Sequence, residues 1–235
     1  MTLQTASASP VSRPFDGLAV ERPLGIPVGG DYLTGSVAIP PHPAAVVLVA
    51  NDAGCSRHRA GERELARALR HAGFATVLAD VLTPLEQAWP DAAAALRQDV
   101  ELLARRIRSA LEWIRGQMPL AGLPVVLLGS GGAGPACLVA AAAQPEELAA
   151  VVVRSARPDL ARMSLGRIKT PVMLCIAEAE PARAAANDAV FALLRCERRM
   201  LCLPGRSVDA SETRAQLAAA IVAFVRTCLD VRRAA

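Results

Sequence analysis

VVLLGSGGAGPACL, residues 125–138, runs from an apolar strand through a glycine-rich turn into the start of a small-residue helix. A turn this sharp lifts one side chain above the carboxyl edge of a parallel sheet, and the residues two before and two after it must be small. Centring the frame on Gly131 puts Gly129 and Ala133 at the flanks, and both fit. Centring it on Ser130 puts Leu128 at the first flank, which is too bulky for a tight turn. The raised position therefore belongs to Gly131, which has no side chain. The frame is present and its reacting group is missing.

Outward from this turn, short apolar runs alternate with helical patterns. Ala44–Ala50, Ala75–Ala79, Pro124–Leu128, Ala149–Val153, Val172–Ile176 and Met200–Leu203 are bounded by Gly, Pro or charged residues, as strands buried on both faces of a parallel sheet are. Helices are expected over Arg59–His71, closed by Gly73, over Arg97–Gln117, and over 183–195 and 212–229. Pro23–Val28 and Tyr32–Ile39 flank Gly29-Gly30-Asp31, a hairpin signal, and their prolines suit an edge. The expected architecture is one α/β domain over residues 21–230: a mostly parallel central sheet, an antiparallel edge hairpin and helices on both faces. Residues 1–20 read as a flexible N-terminal tail, and residues 81–96 as a longer connection able to cap the ligand side.

Composition narrows the function classes. In 235 residues, 53% hydrophobic content and a mean hydropathy of +0.32 fit a well-packed core. No apolar run approaches the roughly 18 residues of a membrane span, and the first twenty residues carry no signal-peptide pattern, so a cytoplasmic protein with no membrane contact is expected. Of the 26 basic residues only Lys169 is a lysine, and the arginines are scattered; with 3% aromatics, no nucleic-acid surface is expected. Six cysteines show no CxxC pair and no zinc-ligand spacing, so neither a metal nor a cofactor is expected. Cys137, Cys175, Cys202 and Cys228 read as small buried hydrophobes.

Ligands of such a sheet bind at the carboxyl ends of its strands, and the loops there carry a resemblance. NDAGCSRH, LADVLTPLEQ, LLGSGGAG, VVVRSARPDL and LRCERRMLCLPG resemble the dienelactone-hydrolase-like branch of the α/β-hydrolases, the bacterial form sometimes found fused to a phosphoribosyltransferase. The resemblance runs from about Pro23 to about Val225 and implies an α/β-hydrolase fold. It also places the family's catalytic positions. The oxyanion-side HGxG motif becomes Asn51-Asp52-Ala53-Gly54, the serine becomes Gly131, the acid Glu180 and the histidine Val208. All three histidines, His42, His58 and His71, precede the turn, so the order Ser–acid–His has no base to draw on.

Several constellations remain open. Ser130 is the nearest hydroxyl, and Cys55 with His58 shares the loop after the third strand; either would make an ester- or lactone-type hydrolase with relocated groups. Gly129, Gly131 and Gly134 spell GxGxxG between strand and helix, the setting of a dinucleotide site, although no acidic residue ends the next strand. Arg57, Arg154 and Arg157, with Asn51 and Gly132, are candidates for holding a small anionic or acyl-type ligand; the arginines can instead pair internally with Asp52, Asp159 or Glu180. The reading carried forward is a pseudo-hydrolase with a ligand-binding or interaction role, including a homo-oligomer or protein partner. Substituting Gly131→Ser with Val208→His is expected to rebuild a Ser–Glu180–His arrangement.

Overall fold

β-Branched and leucine-rich runs that are apolar at every position can satisfy their backbone only inside a sheet covered on both sides. The computed structural model, which describes residues 20–52, 59–144, 147–179, 181–205, 207–208 and 210–234, builds that sheet. Its strands are β1 (Arg22–Val28), β2 (Asp31–Ala38), β3 (Val46–Asn51), β4 (Ala75–Asp80), β5 (Val125–Ser130), β6 (Leu148–Arg154), β7 (Val172–Ala177) and β8 (Arg198–Leu203). They lie in the order β1-β2-β4-β3-β5-β6-β7-β8. β1 and β2 form the hairpin, Val28 pairing with Asp31 across Gly29 and Gly30, and β2 runs antiparallel to β4. Every other pairing is parallel.

Alternation along the strands sorts the core into two layers. Val46, Leu48 and Ala50 face one side, with Leu103, Ile107 and Leu111 of α4 (Val100–Arg115) and Leu138 of α5 (Ala133–Ala143). Val47 and Val49 face the other, with Leu65 and Leu69 of α1 (Ala60–His71) and Ile221, Phe224 and Val225 of α7 (Arg214–Ala234). α6 (Pro181–Leu193) joins the α4/α5 layer through Val190. Gly73, at φ +88°, closes α1 by donating its N–H to the Arg70 carbonyl.

Three expectations need revision. The connection 81–96 is itself helical, with α2 (Pro84–Gln87) and α3 (Pro90–Leu96) inside it. Asp99 caps α4 by accepting from Leu102 N–H at 2.9 Å, so the long helix starts at Val100 rather than Arg97. Cys202 is exposed instead of buried, because β8 is the last strand and several of its side chains lack a covering layer. A run of 3-10 turns over Pro158–Arg167, which periodicity did not suggest, follows β6 and packs against α5.

Gly35 marks where β2 crosses closest to β4: a Cβ there would lie 2.2 Å from the Leu78 carbonyl oxygen, a backbone atom that cannot swing aside. Gly35→Ala should cost about 1–3 kcal/mol in urea unfolding with an unchanged denaturant slope. Gly30→Ala, with nothing within 4 Å, should stay within about 0.5 kcal/mol.

Candidate functional site

The strand-to-helix turn after β5 is as tight as its sequence implies. A Cβ on Gly129 would meet the Ala133 carbonyl and Cys137 Sγ at 2.7 Å each, and one on Gly134 would meet Ala156 Cβ at 2.5 Å. Those glycines let α5 press directly against β5 and β6. Gly131 sits at the apex with φ +58°, the left-handed region where a side chain is strained, and Gly132 caps α5.

What stands over the apex is Asp52, the residue that follows β3. Gly132 N–H donates to Asp52 Oδ2 at 2.8 Å. A Cβ on Gly131 would lie 2.5 Å from Asp52 Oδ1, so the carboxylate takes the space of a side chain at 131. Arg97, at the end of α3, donates from Nε to the Asp52 carbonyl at 2.9 Å. The Arg97 carbonyl in turn lies 2.3 Å from where a Cβ on Gly132 would be. The 81–96 connection thus leads into a residue packed directly on the turn. Upstream it is held by Glu86, which reciprocally caps α2 with Thr83 and accepts from Arg106 Nη1 of α4 at 2.7 Å. Burial pushes the Asp52 carboxyl above its usual range, against the Gly132 N–H, which pulls it down.

A second polar layer lies on the α1/α7 face. Asn51, Ser130 and Arg154 are register partners at the ends of β3, β5 and β6. Glu62 of α1 reaches over them, accepting from Asn51 Nδ2 at 3.0 Å and pairing with the Arg154 guanidinium. The side chains of Arg154 and Glu62 are only 2% and 7% exposed. Such a pair repays its desolvation only while both partners are present.

The other sequence candidates scatter. Arg157 is 59% exposed and makes a two-pronged pair with Asp159, at 2.8 and 2.6 Å. Val208 is fully buried with Leu128, Cys175, Leu203 and Leu217, and its carbonyl accepts from Thr213 Oγ1 at 3.2 Å. Ser130 is buried on the α1/α7 face. Cys55, Arg57, His58 and Glu180 lie outside the described residues. A cavity of about 380 Å³, lined in part by Ile114, Leu120, Val125 and Arg232, opens at the opposite end of β5 and is no part of this site. The sequence reading placed Asp52 in the counterpart of the HGxG motif and as a partner for arginine, and gave Glu62 and Arg97 no role at the site. A signal was available for Asp52: it stands where the HGxG motif has glycine, beside a frame that has glycine in place of serine.

Comparison with known proteins follows this geometry. A dienelactone hydrolase from Anabaena variabilis superposes with a TM-score of 0.83 at 32% identity, covering 88% of this chain and 97% of that one. The chain belongs to the dienelactone hydrolase family. A dienelactone hydrolase-like promiscuous phosphotriesterase from metagenomic libraries shares the fold at a TM-score of 0.73 and 19% identity, over 89% of this chain and 98% of that one. A Mycobacterium tuberculosis protein bearing the name "Putative phosphoribosyl transferase" is 36% identical over 200 residues, 85% of this family member's chain. The chain spans only 44% of that relative's length, so the relative's name describes a larger protein. No family model matches the chain. Among the described residues, no helix is long and apolar enough to cross a membrane.

Two outcomes test the site's energetics. Arg154→Met should cost about 3–5 kcal/mol by stranding a buried carboxylate, whereas Arg154→Met with Glu62→Leu should recover most of the loss, both read from urea unfolding. Asp52 has its folded pKa raised, so its contribution to stability is present below the unfolded pKa and lost as pH rises through the folded one. Asp52→Asn should therefore raise the melting temperature at pH 7, with the gain shrinking as pH falls into the ordinary carboxylate range.

Proposed function

We propose that this member of the dienelactone hydrolase family is a pseudo-hydrolase, retaining the fold for binding rather than turnover. The observation that carries the reading is the Asp52 carboxylate seated over Gly131 and bonded to Gly132 N–H. In an acyl-transfer elbow, the amide after the nucleophile stabilises the developing oxyanion. Here that donor is committed to a fixed negative charge, and no hydroxyl rises from the apex. Val208, packed among apolar side chains, supports the same reading, since an imidazole placed there would be buried without an evident partner. Of the relocated alternatives, Ser130 is buried in register with Asn51 and Arg154, on the α1/α7 side by strand alternation, and Cys55 with His58 lies outside the described residues.

The binding role falls to the loop after β6, with a small anionic or acyl-type ligand as the candidate, since Asn51 is bonded to Glu62 and Gly132 N–H to Asp52. Arg154 is committed to Glu62, but Arg157 is accessible, and a ligand carboxylate can exchange for its exposed pairing with Asp159. Dinucleotide binding through Gly129, Gly131 and Gly134 has less support. Close internal contacts explain the glycines at 129 and 134, and the Asp52 carboxylate repels a phosphate at the turn.

A fluorophosphonate probe should leave the purified protein unlabelled, and p-nitrophenyl acetate hydrolysis should stay at the buffer rate in both wild type and Ser130→Ala. Turnover abolished by Ser130→Ala, or by Cys55→Ala, would overturn the reading. Gly131→Ser with Val208→His should also remain unlabelled, contrary to the expectation from sequence, because the new histidine enters the apolar core and Gly132 N–H stays bonded to Asp52.

A further inference from the structure

The Asp52 carboxylate is not simply near the turn; it is docked there from several directions. Asn51 pairs in register with Ser130, so Asp52 leaves the sheet beside Gly131. Its carbonyl is held by Arg97 Nε at 2.9 Å, and its Oδ2 by Gly132 N–H at 2.8 Å. The fit depends on the two glycines, since a Cβ at 131 would lie 2.5 Å from Oδ1 and one at 132 would lie 2.9 Å from Oδ2. Burial disfavours a charge at this position, yet the surrounding contacts direct the carboxylate inward. An anion is therefore already seated at the amide where an oxyanion would bind, and the chain itself supplies it.

We infer that Asp52 is a built-in plug, a tethered carboxylate that occupies the anion hole of the turn and keeps external carboxylates and phosphonates out. The inference rests on the pseudo-hydrolase reading, because a serine at 131 needs the same space. With the plug in place, an acceptor oxygen faces any ligand approaching Gly131, so an anion is repelled. Without it, Gly132 N–H and the amino end of the eleven-residue α5 become open to an oxyanion.

The test titrates methylphosphonate into ¹⁵N-labelled wild type, Asp52→Gly and Asp52→Asn while following the Gly132 amide resonance, with thermal melts verifying that each variant is folded. Asp52→Gly should bind saturably, about tenfold or more tighter than wild type, a difference that corresponds to about 1.4 kcal/mol. Asp52→Asn keeps the shape and loses the charge, and should fall between the two. Identical titrations in all three proteins, or no shift at Gly132 in either variant, would overturn the plug. Fluorophosphonate labelling of the wild type would instead overturn the pseudo-hydrolase reading. The phosphonate titration reports non-covalent occupancy alone, so the two failures are distinct. Should Asp52→Gly not fold, the comparison of Asp52→Asn with wild type decides the question.

Discussion

The close approach of α5 to β5 sets the geometry on which the rest of the site depends. Gly129 and Gly134 remove the side chains that would hold helix and strand apart, and the turn between them has to pass through a left-handed apex. Once that turn is made, Gly132 N–H points out of the sheet's carboxyl edge, toward the loop that follows β3. Nothing in this arrangement requires a nucleophile. The scaffold that presents one is stable with the apex bare, because its packing lies below the apex, between Gly129, Ala133, Cys137 and Ala156.

Two polar assemblies share this edge and have opposite characters. On the α1/α7 face, Glu62 and Arg154 form a closed pair, sealed from solvent and extended by Asn51. It joins α1 to the ends of β3 and β6 and holds the sheet's edge in register. Above the apex, Asp52 and Gly132 form a contact between a full charge and a backbone dipole, with Arg97 bound to the same loop. The first assembly is a structural fastening. The second lies at the turn on which the proposed function rests.

Much of the fold was legible in the sequence because the strands are apolar at consecutive positions and end in Gly, Pro or charge. The hairpin at Gly29-Gly30 and the glycine after α1 are local signals with local causes, and both are where they were read. The run Pro158–Arg167 was not legible, since its 3-10 turns follow no 3.6-residue period and are stabilised by α5. Cys202 was misread because apolar content does not reveal which strand is last in the sheet. At the site, the bare apex could be read from the turn's steric rules. Its occupant could not, because Asp52 and Gly132 are 80 residues apart and meet only when β3 and β5 pair. Arg97 was likewise taken as the start of a helix, when the cap at Asp99 leaves it free to turn back onto the Asp52 carbonyl.

The contact between Asp52 and the space over Gly131 also couples two positions that are far apart in the chain. A serine arriving at 131 with the aspartate in place meets a carboxylate oxygen 2.5 Å from its Cβ. An aspartate arriving at 52 opposite a serine would meet the same collision from the other side. A side chain at either position therefore restricts the rotamers open to the other. Position 131 and position 52 are read as one unit, so that a substitution at one has a cost set by the residue at the other.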